Sequence, residues 1–282
     1  MVARLNSPAQ AGSSLNRWLQ LIGTCGAILA LVILGASMLL RLATLFGADG
    51  RPISTLPVAL ESAIRLSHRL AAAGVGVLAV FALILYWTRR PLPVRAGWPI
   101  ALIVATTAIL ALIGPLTPGY RIAGVTVGNV AGGMVLLMAF WWLRELAATH
   151  PSICQPVETL MRAAVFVFLA HVATGAAASA QEMHGVRWLA FLHLGTALLA
   201  VMFIGASLWD RHRESSMAGW RAATAVLLFA QVLLGFGMMW LDARPIWLAF
   251  LHGMLSPLLA IGLVSLALRD SSRAGPPPLP SR

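Results

Sequence analysis

The chain is 282 residues long, 59% of them hydrophobic and only 10% charged, with a formal net charge of +11 and a mean hydropathy of +0.85. A soluble domain of this length cannot present so apolar a surface to water, so lipid is the solvent that fits. All 20 basic residues are Arg, set between apolar runs rather than in a patch interleaved with aromatics; this excludes a nucleic-acid footprint and reads as topogenic charge.

Residues 1–15 are polar and read as a disordered arm. Arg4 and Arg17 precede the first apolar run, 19–40, which is too long for a signal-peptide core and lacks a cleavage site, so an uncleaved signal-anchor helix is expected. Seven further runs follow at 66–87, 98–116, 122–143, 163–180, 188–209, 222–241 and 246–268, each near the roughly 20 residues that cross a hydrocarbon core. Their apolar residues are continuous rather than alternating, which favours helices over barrel strands, because a helix satisfies its own backbone in lipid. The expected fold is an all-α integral membrane protein of eight transmembrane helices in the bilayer. Cys25 lies in a run and Cys154 in a connection, at different depths, so no disulfide is expected.

Connections after the even-numbered runs carry Arg89, Arg90, Arg95, Arg144, Arg162, Arg211, Arg213 and Arg221, with Arg269 and Arg273 after the last. The opposite loops hold only Arg51, Arg121, Arg187 and Arg244. The positive-inside rule then puts both termini in the cytoplasm and the protein in the cytoplasmic membrane. Trp141, Trp142, Trp209, Trp240 and Trp247 fall near run ends and read as an aromatic belt.

The chain also repeats itself. SHRLAAAGVGVLAV in the second run resembles LHLGTALLAV in the sixth, aligning His68 with His193; ALIGPL resembles VLLGFG, aligning Gly114 with Gly235; VGNVAGGMVLL resembles FLHGMLSPLLA, aligning Asn129 with His252. The offsets are 125, 121 and 123 residues. Such near-constant spacing implies two repeated four-helix bundles, at 16–146 and 162–269, joined by a cytoplasmic linker at 147–161 and followed by a Pro-rich tail at 270–282 read as disordered.

His193 lies six residues beyond Arg187 and His252 eight beyond Arg244, so both imidazoles sit about 9–12 Å below the outer boundary. Their two helices run in the same direction, and two imidazoles offered at one level from neighbouring helices suit six-coordinate haem ligation. The bland alternative is two polar side chains hydrogen-bonded within the bundle. Zinc is disfavoured, because no Cys, Asp or Glu stands nearby at ligand spacing. In the first half His68 occupies the matching place, but Asn129 stands where a second His is due, leaving one iron position open or the pocket degenerate. Glu61 precedes His68 by seven residues and shares its helix face, as does Arg65; it is a candidate proton acceptor or the partner of an Arg65 ion pair. Arg69, Arg121, Arg187 and Arg244 mark the outer ends of the candidate helices, where carboxylates of a haem would sit. His171, mid-run in the fifth segment, and His184 have no repeat counterpart and are not expected to be ligands, and His150 and His212 read as solvated.

With SHR in the second run, LH in the sixth and eighth and AQVLLG in the seventh, nearly the whole chain resembles the haem A synthase family of cytochrome oxidase assembly proteins. The resemblance implies haem b as cofactor in the C-terminal half and haem O as substrate in the N-terminal half, with oxidation of a ring methyl to a formyl group to give haem A. Carried over by motif, His193 and His252 are the haem b ligands and His68 is the histidine of the substrate site. A haem O synthase and an electron donor are the partners it implies, and an oligomer is compatible with it. Arg65 stands three residues before His68 where the family has a glutamate, Asn129 replaces a histidine, and residues 46–60 lack the cysteine pair of many bacterial members. These departures keep open a non-catalytic reading, a haem b electron carrier or assembly factor. A repeat-built transporter is the third reading, the least favoured, since no run is broken at its middle by Gly or Pro beside paired charges.

Overall fold

In a computed structural model the described residues are 8–46, 52–88, 94–116, 122–148, 159–180, 187–210, 217–240 and 246–270. They form α1 (Pro8–Leu42), β1 (Thr44–Phe46), β2 (Pro52–Ser54), α2 (Val58–Thr88), α3 (Val94–Ile113), a 3-10 turn (Gly114–Leu116), α4 (Ala123–Ala148), α5 (Thr159–Ala178), α6 (Arg187–Asp210), α7 (Ala218–Trp240) and α8 (Ile246–Asp270). All eight helices are long and apolar enough to cross a membrane, as their runs predict.

The ends of the elements differ from the apolar runs where polar residues continue a helix. α1 begins at Pro8 rather than near residue 19, because Pro is preorganised for a first helical turn and Ala and Gln sustain it. α2 starts two turns before its apolar run, through Glu61 and Arg65. Ahead of it β1 and β2 pair antiparallel, Leu45 opposite Ile53, in the connection between the first two spans. Thr55 fastens this hairpin to α1: its backbone N–H and its hydroxyl both donate to the carbonyl of Ala43, at 2.8 and 2.6 Å.

Among the first four helices α1 packs on α2 and α4, and α3 on α2 and α4; among the last four, α5 packs on α6 and α7 on α8, while α5 with α8 and α6 with α7 barely touch. The halves meet through α1 on α8, α4 on α5, and α4 on α8. Consequently α1, α4 and α8 are the most enclosed spans and α6 and α7 the least. Lipid is as apolar as the side chains, so close backbone approach rather than water exclusion drives this packing. The α1–α4 contact illustrates it: Gly23 and Gly26 face the α4 backbone and the Phe140 ring so closely that a Cβ at Gly23 would lie 2.7 Å from the carbonyl of Phe140. Across α4 and α8, the Trp141 indole N–H donates to Ser265 Oγ at 2.7 Å. Large side chains such as Phe191, Phe229 and Leu70 are exposed and face outward, as lipid contact requires.

Candidate functional site

Two cavities lie along the middle of the molecule. The first, about 230 Å³, is lined by His193 of α6, His252 of α8, His171 of α5, Gln231 of α7, Asn129 of α4 and Arg41 of α1, together with small and apolar side chains. The second, about 500 Å³, lies within the first half and is lined by His68, Arg65 and Arg69 of α2, Thr107 of α3, Asn129 of α4 and Ser37 of α1. Ile33, Ser37 and Asn129 line both, so one wall separates them.

His193 and His252 share a cavity, and each lies six residues past the first residue of its helix, about 9 Å along the axis. A glycine of the neighbouring helix backs each imidazole. A Cβ at Gly175 of α5 would lie 2.7 Å from His193 Cε1, and one at Gly235 of α7 would lie 3.3 Å from His252 Cε1. Gly175 therefore lets the ring lie against the α5 backbone, where any side chain would displace it. Its Nδ1–H donates to the carbonyl of His171 at 3.2 Å. A carbonyl can only accept, so Nδ1 carries the proton and Nε2 keeps its lone pair for a metal.

His252 is held differently. The Gln231 amide donates to Ser256 Oγ at 3.0 Å and stands 3.4 Å from His252 Nε2. His252 Nδ1 and Gln231 Oε1 are buried and have no hydrogen-bond partner among the described residues. A buried imidazole nitrogen and amide oxygen without a partner carry a desolvation cost.

His171 was not legible as a site residue. It is 7% exposed, its ring stacks on that of His193 with centroids 4.3 Å apart and planes 8° from parallel, and its Nδ1 also lacks a partner. Arg41 at the end of α1 was likewise not foreseen, since it belongs by sequence to the other half; it supplies a cation to the His193/His252 cavity. Among the described residues no group of three or more His, Cys, Asp or Glu is arranged to hold a bare metal ion.

In the second cavity His68 stands with Arg65 and Arg69. Glu61 does not line it: its carboxylate accepts from Arg65 Nε at 2.8 Å and from the same guanidinium's terminal nitrogen. Of its two sequence readings, the ion pair is the one present. Asn129, expected in the first-half site, lines both cavities. Arg121, Arg244, His150, His184 and His212 lie outside the described residues, as does the side chain of Arg187. The sequence matches no known family model and no curated protein.

Proposed function

We propose that the chain is a haem-binding oxidoreductase of the haem A synthase type, in the cytoplasmic membrane with both termini in the cytoplasm, holding haem b between His193 and His252 and receiving haem O beside His68. The observation that carries this reading is the convergence of His193 and His252 on one apolar cavity at equal helical depth, each backed by a glycine. The internal repeat is the support for two related bundles; exchanging the halves turns the α1–α8 contact into α5–α4 and leaves α4–α8 unchanged, but turns the extensive α1–α4 contact into the slight α5–α8 one.

The donors fit a haem. Two imidazoles without a carboxylate or thiolate suit six-coordinate iron, and Arg41 is a cation for a propionate. Bound there, haem b supplies one-electron transfer. The volume is smaller than the roughly 300–1,000 Å³ of ordinary ligand sites, so seating a haem requires the cavity wall to widen. In the larger cavity His68 offers one imidazole and Arg69 a cation for a carboxylate of an amphiphilic substrate, while Arg65 is engaged by Glu61.

One observation favours the carrier reading instead: the second cavity holds a single imidazole, with Asn129 in place of the other, and Glu61 is engaged by Arg65 rather than lining it. Co-expression with a haem O producer, followed by chromatography of extracted haems, separates the two. Haem A that disappears in His68→Ala supports the enzyme; a low-spin pigment without haem A supports the carrier; a colourless protein refutes both.

A further inference from the structure

The environment of His171 calls for a physical reason. It sits mid-helix in α5, 7% exposed, with a ring nitrogen that no described residue satisfies. A buried polar group without a partner is disfavoured, and more so in a membrane; a leucine or phenylalanine would fill the space without that penalty. What the imidazole touches is His193, face to face at 4.3 Å and 8°.

We propose that His171 is a positioning residue for His193, its ring setting the plane of the His193 imidazole and its carbonyl setting the tautomer. The two parts of one residue act together. The carbonyl of His171 receives the Nδ1–H of His193 at 3.2 Å and the hydroxyl of Thr174 at 2.9 Å. Thr174 Oγ1 in turn is 3.0 Å from Thr196 Oγ1 on α6, one turn after His193. This polar seam pins α5 to α6 at the level of the imidazole, and α5–α6 is the most extensive helix pairing of the second half. His193 thus lies in a slot of α5, backed by Gly175 and walled by the His171 ring. A ring so held keeps its plane and its Nδ1–H tautomer, which leaves the Nε2 lone pair for ligation.

The placement of His193 stands on geometry alone; its consequence for iron rests on the haem reading above. The plane of an axial imidazole governs the anisotropy of a low-spin ferric signal, so releasing the plane alters the signal without removing the ligand.

The test uses the full chain in phosphatidylcholine nanodiscs, prepared without haem and labelled with ¹⁵N in histidine. The expected spectrum has His193, assigned by its loss in His193→Gln, in the Nδ1–H form, with carbon-bound ring protons shifted upfield by the stacked ring. His171→Phe keeps that shift, and His171→Leu loses it while the tautomer persists, because the carbonyl remains. An Nε2–H tautomer in the unsubstituted protein overturns the proposal with no variant needed, and so does an upfield shift that survives His171→Leu. Haem is then added. The electron paramagnetic resonance signal is expected to be unchanged in His171→Phe and displaced in His171→Leu, with haem stoichiometry intact in both; an identical signal in all three overturns the role toward iron. Haem that fails to bind the unsubstituted protein, with the NMR result as expected, refutes the haem reading and leaves the positioning of His193 established.

Discussion

Gly175→Ala puts a methyl group 2.7 Å from His193 Cε1 and 3.1 Å from Nδ1. Unstrained contacts settle at about 3.5–4.0 Å, so the imidazole must retreat by about 1 Å. Its 3.2 Å bond to the His171 carbonyl then stretches past the roughly 3.5 Å at which it ceases to count. Losing that bond costs about 0.5–1.5 kcal/mol, and a ring forced off its rotamer costs a similar amount. Alanine in place of glycine within a helix returns roughly 1 kcal/mol. Folding stability therefore falls by about 0–2 kcal/mol, while the ligand leaves its position; perturbing a partner that orients a metal ligand lowers metal affinity by about 10–100-fold. The assay is a titration of haem into haem-free protein in nanodiscs, followed at the Soret band, beside Gly195→Ala. Gly195 lies two residues from His193, and a Cβ there meets nothing within 4 Å, so this control is expected to bind as the unsubstituted protein does. Equal affinity in Gly175→Ala and the unsubstituted protein, or equal weakness in the two variants, refutes the geometry.

Arg41→Leu is expected to weaken haem binding about 10-fold, the worth of one charge-assisted hydrogen bond, and to leave binding of the haem dimethyl ester unchanged; an equal loss for both ligands rules out a propionate contact. Gln231→Leu removes the donor to Ser256 Oγ and is expected to destabilise the bundle by about 0.6–1.7 kcal/mol, read as a lower unfolding midpoint in detergent; no shift argues that the α7–α8 bond contributes nothing. Asn129→His restores the second imidazole of the repeat and is expected to convert a haem bound in the first half from five- to six-coordinate, visible as a high-spin to low-spin change in the optical spectrum. A spectrum unchanged by Asn129→His contradicts a haem beside His68.

The membrane spans were legible because a stretch long enough to cross hydrocarbon leaves its mark in length and composition alone. That His193 and His252 line one cavity was legible for a related reason, since each is counted from the start of its own helix, but α6 and α8 face each other across that cavity rather than packing as neighbours. His171 was not, since it has no partner in the repeat, and its stacking depends on how α5 turns its face to α6. Arg41 reaches across from the other half, so nothing near it in sequence signals the cavity it lines. Asn129 was read as the weak member of one site, whereas the packing of α4 against both α1 and α8 places it on the wall of two. Glu61 and Arg65 are four residues apart, a spacing that permits an ion pair without requiring it; the choice between pairing and facing the cavity is made by side-chain rotamers that periodicity does not encode.

The most direct measurement is the optical spectrum of the purified protein supplied with haem, beside the His193→Ala, His252→Ala double variant. Ligation by this pair predicts a six-coordinate low-spin spectrum in the unsubstituted protein and its loss in the double variant, with helical content retained. A double variant that keeps its full complement of low-spin pigment, or an unsubstituted protein that stays colourless, contradicts it.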